Sequence, residues 1–105
     1  MTDDLITLVA KCTAWSSERG ILRNGRRETQ MLKLIEEMGE LASSIAKGRD
    51  VRDDIGDCLV VLNNLAVMSG LTLRECLQCA YSDIKERKGH INATGVFIKE
   101  EEALK

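Results

Sequence analysis

Proline is absent from the chain, and phenylalanine, tryptophan and tyrosine occur once each. A chain without proline and with so few aromatics is not built as a sandwich or barrel; it points to helices. Histidine is also single, at His90. That excludes a Ser–His–Asp set supported elsewhere in the chain and the Glu-x-x-His pairs of di-iron bundles. No glycine-rich phosphate loop is present. No apolar run approaches the roughly 20 residues of a membrane helix, so no membrane partner is expected. Neither charge sign dominates, with 15 basic and 17 acidic residues, which gives no reason to expect nucleic acid as a partner. The early acids Asp3 and Asp4 are unlike the basic start of a signal peptide, and the expected location is cytoplasmic.

What is present suits one domain. The 105 residues, 44% apolar and 30% charged, support a single modest core over 1–105, with 88–105 as a tail. Four cysteines, Cys12, Cys58, Cys76 and Cys79, have no secretory context. They read as small buried hydrophobes in a reducing compartment. Cys76 and Cys79 lack the second pair that zinc requires.

Four helices are expected. The first runs from about Asp3 to Arg19, with Leu5, Leu8, Val9, Cys12 and Trp15 on one face. Thr2 or Asp3 caps it and Gly20 stops it. A loop through Asn24 and Gly25 follows, whose arginines and Arg19 make the most basic patch, either solvated surface or an aid to phosphate attraction. The second helix spans roughly Glu28 to Lys47. Its apolar arc holds Met31, Leu34, Ile35, Met38, Leu41, Ala42 and Ile45. Gly48 ends it and Asp50 caps the third helix, about Val51 to Ser69. From Ile55 to Met68 that third helix carries only Asp57, Asn63 and Asn64 as polar residues, which predicts burial on several sides and a homodimer. Thr72 and Glu75 form a capping box opening the fourth helix, which is expected to finish with Lys85, Glu86, Arg87 and Lys88 before Gly89. The tail holds a short β-like stretch at Val96, Phe97 and Ile98, able to pair with Ile91.

Two acidic stretches organise this plan. Glu37 and Glu40 lie three apart, as do Asp54 and Asp57, so each pair shares a helix face with Cβ atoms about 5–6 Å apart. If the chain folds back near Lys47, Glu37 comes level with Asp57 and Glu40 with Asp54. Four carboxylates then repel one another unless protons or cations neutralise them. Asp53, in the first turn of its helix, has a structural role; Asp57, in an apolar helix, has none. Lys33 is placed to pair with Glu37. Glu36 is either a solvent residue or an outer member of the cluster. Oxygen ligands without His or Cys suit Mg²⁺, with Mn²⁺ possible. Such an ion beside Lys85, Arg87 and Lys88 reads as phosphoanhydride hydrolysis.

The stretch from Lys33 to Leu41 followed by Asp54 to Asp57 resembles the ExxE…ExxD signature of MazG-like all-α NTP pyrophosphohydrolases of the compact phage and bacterial type. The resemblance runs from about Trp15 to Lys99. It implies a four-helix homodimer or homotetramer that hydrolyses a nucleoside triphosphate to the monophosphate and pyrophosphate with Mg²⁺. Glu37, Glu40, Asp54 and Asp57 become metal ligands, and one of the glutamates Glu37, Glu40 or Glu36 activates water. Lys33, Lys85, Arg87 and Lys88 become substrate contacts. Trp15 either packs in the core or stacks on a base. Two positions depart from the family: Asp54 stands where Glu is usual, and Ser82 stands three residues before Lys85 where Asn is frequent. The alternatives are a dUTP/dCTP-type or phosphoribosyl-ATP pyrophosphohydrolase, or a non-catalytic helical nucleotide-binding module.

Overall fold

The computed structural model describes residues 2–100. Five helices and one hairpin succeed one another: α1 (Leu5–Glu18), α2 (Ile21–Asn24), α3 (Arg27–Ala46), α4 (Arg52–Met68), α5 (Leu73–Ile84), β1 (Gly89–Ile91) and β2 (Phe97–Lys99). They form two compact units, the first ending at Leu73 and the second starting at Arg74. The architecture is mostly helical with a small hairpin, one helix more than the four expected.

In the first unit α3 and α4 form the central pair, and α1 and α2 pack on α4. Gln30 lies opposite Asn64 and Glu37 opposite Asp57, so α3 and α4 run antiparallel in register. The reversal is made by Gly48, whose φ of 66° is a left-handed conformation that glycine adopts without Cβ strain. Asp50 then accepts a hydrogen bond from the Arg52 backbone N–H (2.9 Å) while its carboxylate pairs with the Arg52 guanidinium. The start of α4 is thus tied down by Asp50 from just outside the helix. At the other end of the unit Asp4, not Thr2 or Asp3, caps α1 by accepting from Thr7 N–H (2.8 Å). The expected loop after Gly20 closes instead into the single turn of α2, because Asn24 and Gly25 donate back to Gly20 and Ile21.

The core is small. Leu34, Cys58 and Val61 are its buried centre, with Leu41 and Leu65 packed around them. The broad apolar arc of α3 divides: Leu34 and Leu41 face α4, whereas Met31, Ile35, Met38 and Ile45 are exposed. On α4, Ile55, Leu59 and Leu62 form a second exposed stripe at helical spacing. The cysteines split likewise. Cys58 is buried, but Cys76 and Cys79 are exposed, and all four are free thiols.

In the second unit α5 stops at Ile84, four residues short of Lys88. The hairpin competes for that backbone: Gly89 pairs with Lys99 and Ile91 with Phe97, and Glu100 N–H donates to the Lys88 carbonyl. The turn is organised by Asn92, whose Oδ1 accepts from the backbone of Thr94 and Val96, with Gly95 in a left-handed conformation. Along α5, Leu77, Tyr81 and Ile84 make an exposed apolar stripe.

Candidate active site

The register of α3 and α4 brings carboxylates from two helices to one point. Glu37, Glu40 and Asp57 each offer an oxygen within 4.8 Å of the others. Glu37 is the buried member, 7% exposed, on the α3 face turned towards α4. Its Oε1 is held by Lys33 Nζ at 3.1 Å, and the same ammonium lies 3.6 Å from Glu36 Oε1. Its Oε2 is buried without a hydrogen-bond partner. A buried carboxylate oxygen left unpaired is costly, and it is the kind of atom a cation satisfies.

The electrostatics agree. Burial raises the pKa of Asp57, and the charges of Asp53, Glu37 and Asp54 raise it further. The Glu37 charge, assisted by the hydrogen bond that protonated Glu40 donates to the Glu37 carboxylate, raises that of Glu40. Lys33 is pushed up by its hydrogen bond to Glu37 and by the charge of Glu36. The adjacent Cys58 thiol is pushed up by burial and then by the same acids, so it stays an uncharged core residue. Without a cation, Asp57 and Glu40 therefore hold protons more tightly than isolated carboxylates do.

The other residues singled out in the sequence are placed as follows. Asp54 is half-buried in the first turn of α4 and acts on Asp57 by its charge; it is outside the three-oxygen group. Glu36 is exposed and shares Lys33 with Glu37. Trp15 is not a core residue: it is 47% exposed, with the Arg19 guanidinium 4.3 Å over its ring. It lines a cleft with Lys33, Glu37 and Asp57. Lys85, Arg87 and Lys88 lie in the second unit beyond the end of α5, and Arg87 is paired with Asp83 (2.9 Å). Sequence reasoning passed over Gln30 and Asn64, which line the same cleft and are hydrogen-bonded to each other. The signal for Asn64 was the one that singled out Asp57, a polar residue in an otherwise apolar helix.

The family described as the MazG nucleotide pyrophosphohydrolase domain matches residues 26–92, well over half of the chain. The chain belongs to the MazG family. Among curated proteins, it is 38% identical over 65 residues to an uncharacterized 18.2 kDa protein from the rep-hol intergenic region of Haemophilus phage HP1. That match takes in 60% of this chain and 40% of the phage protein. The chain thus spans less than half of that relative. Among solved structures, the fold is similar to that of a cyanophage S-2L MazG-like pyrophosphohydrolase bound to dGDP and three catalytic Mn²⁺ ions per active site. The TM-score is 0.65 over 93% of this chain and 98% of the other, at 22% identity. The matched MazG segment contains all of α3 and α4, hence every carboxylate of the cluster.

Proposed function

We propose that the protein is a divalent-metal-dependent nucleotide pyrophosphohydrolase, acting as one domain, that cleaves (d)NTP to (d)NMP and pyrophosphate. The observation that carries this reading is the convergence of Glu37, Glu40 and Asp57 around a buried carboxylate oxygen with no partner. Family membership supports it, as does the nucleotide and Mn²⁺ in the similar cyanophage structure. The donor set is all oxygen, which fits Mg²⁺ or Mn²⁺. Glu37, Glu40 and Asp57 would hold the ion, with Asp54 beside them. When bound, the ion neutralises phosphate charge and polarises the phosphoanhydride for attack.

The chain's own groups have separable roles in this reading. Lys33 fixes one oxygen of Glu37, leaving the other free to ligate. Glu40, exposed and drawn to a proton by the Glu37 charge, is suited to take the proton of the attacking water, with Glu36 next to it. Trp15 and Lys33 line the cleft in which the nucleotide lies, and Lys85, Arg87 and Lys88 are cations of a kind suited to phosphate oxygens.

The test is pyrophosphate release from a panel of NTPs and dNTPs, including dUTP, dCTP and phosphoribosyl-ATP, with Mg²⁺ and with Mn²⁺. Turnover confined to dUTP and dCTP, or to phosphoribosyl-ATP, assigns the narrower activity. Metal binding without turnover of any nucleotide makes the protein a binding module.

The protein acts as a homodimer or homotetramer. The exposed stripes Ile55–Leu59–Leu62 on α4, Met31–Ile35–Met38–Ile45 on α3 and Leu77–Tyr81–Ile84 on α5 are apolar surfaces that a second copy covers. Light scattering at micromolar concentration should give at least twice the 11.7 kDa chain mass. A monomer there contradicts this assembly.

A further inference from the structure

From Glu37 and Asp57 the cleft continues along the α3–α4 seam to Trp15, Gln30 and Asn64, enclosing about 360 Å³. That is within the roughly 300–1,000 Å³ of small-molecule sites. The acidic end accounts for metal and phosphates; the far end has a different character. It presents the Trp15 indole, the apolar side chains of Ile21, Val60 and Val61, and the two carboxamides.

Asn64 is only 3% exposed. Its Nδ2 donates to Gln30 Oε1 at 3.1 Å, yet its Oδ1 is buried with no hydrogen-bond partner. Asn63, equally buried, differs: its Nδ2 donates to Thr13 Oγ1 (2.9 Å) and so ties α4 to α1. Packing therefore explains Asn63 and leaves the acceptor of Asn64 unexplained. A buried acceptor is normally satisfied, so an orphan beside a cleft marks a place where a ligand donor completes the bonding.

We propose that Asn64, held by Gln30, selects the base of the nucleotide: its Oδ1 accepts an N–H from the base edge while the base lies against Trp15. The inference rests on the nucleotide reading above and adds to it a determinant of base choice. With Nδ2 engaged by Gln30 Oε1, Oδ1 is the free acceptor of the carboxamide. Arg19 already holds the indole in place from one side. Sites built around such a buried polar group discriminate strongly, because a ligand lacking the matching donor leaves the group unpaired.

Trp15 is the single tryptophan, so its fluorescence reports on this cleft. The protein is titrated, with Mg²⁺ present, with the 5′-monophosphates of adenosine, guanosine, cytidine and uridine, and with purine riboside 5′-monophosphate, whose base has no N–H donor. At least one natural nucleotide should bind about tenfold or more tighter than the purine riboside compound. Asn64→Leu and Gln30→Met should each erase that difference while circular dichroism keeps its helical signal. If Asn64→Leu fails to fold, Gln30→Met, at a half-exposed position, carries the test. Equal binding of purine riboside monophosphate, no quenching by any nucleotide, or wild-type preference in the folded variants overturns the proposal. Base discrimination without pyrophosphate release from any triphosphate removes the enzymatic reading and leaves this one. Hydrolysis at equal rates whatever the base removes only this one.

Discussion

Asp57→Asn should reduce pyrophosphate release by about a hundredfold or more, beyond the 10–100-fold typical of losing an outer partner of a metal ligand. The substitution keeps the shape of the side chain and removes only its charge. Asp57 is where α4 delivers a carboxylate to the oxygens of Glu37 and Glu40. Among the described residues no cation is bonded to it there, and burial and three neighbouring acids disfavour its ionised form. In the proposed reading such an acid serves the metal-loaded state rather than folding. In the metal-free protein the same substitution removes like-charge repulsion, so the melting temperature should hold or rise at pH 7.5. The pairing of the two results distinguishes a ligand from a structural acid, whose loss lowers both. Asp54→Asn provides the comparison: outside the three-oxygen group, it should cost clearly less activity. Wild-type turnover in Asp57→Asn would remove this residue from the site.

Much of the site is legible in the sequence because it depends on one number, the register about Gly48. Once that glycine reverses the chain, spacing alone brings Glu37 to Asp57, and helical periodicity puts Glu40 on the same face. The hairpin is legible too, since Val96–Ile98 and Ile91 flank a turn that Asn92 and Gly95 close. What composition does not reveal is which apolar face belongs to the chain's own core. The arc of α3 is continuous in sequence, yet only Leu34 and Leu41 meet α4, and the remainder faces outwards as Trp15 does. Periodicity marks an apolar surface without naming what covers it. The end of α5 shows a different limit. Residues 85–88 have helix-ending composition, and Lys85 and Arg87 still donate back to Tyr81 and Ile84, but the Lys88 carbonyl is taken by Glu100 at the end of the hairpin, a pairing decided across the turn. Gln30 escapes notice because its amide declares itself only through a cross-helix partner, and Asn64, conspicuous in an apolar helix, joins the cleft only through that same bond.

Adding Mg²⁺ or Mn²⁺ to metal-free protein should raise the melting temperature by about 10 °C or more at pH 7.5, and the gain should shrink as pH falls. A ligand at a hundred times its dissociation constant stabilises by about 2.7 kcal/mol. In a domain of about 100 residues each kcal/mol moves the midpoint by roughly 4–8 °C. The pH dependence follows from the acids. Asp57 and Glu40 have folded-state pKa values above their unfolded ones, Asp57 chiefly through burial and Glu40 chiefly through the charge of Glu37. A raised folded pKa means that the folded state holds the proton more tightly. Their contribution to stability is therefore complete below the unfolded carboxylate range and is lost as pH rises through the raised values. As far as these two groups decide it, the metal-free protein weakens towards neutral pH. The cation needs the ionised carboxylates, so its contribution runs the other way and is lost as protons compete for the same oxygens. The melting temperatures with metal and with EDTA should converge near the carboxylate range and separate towards neutrality. Asp57→Asn should largely abolish the separation. A metal-induced shift that grows on acidification, or none with either ion, would place the cation elsewhere and leave the acidic cluster without the role assigned to it.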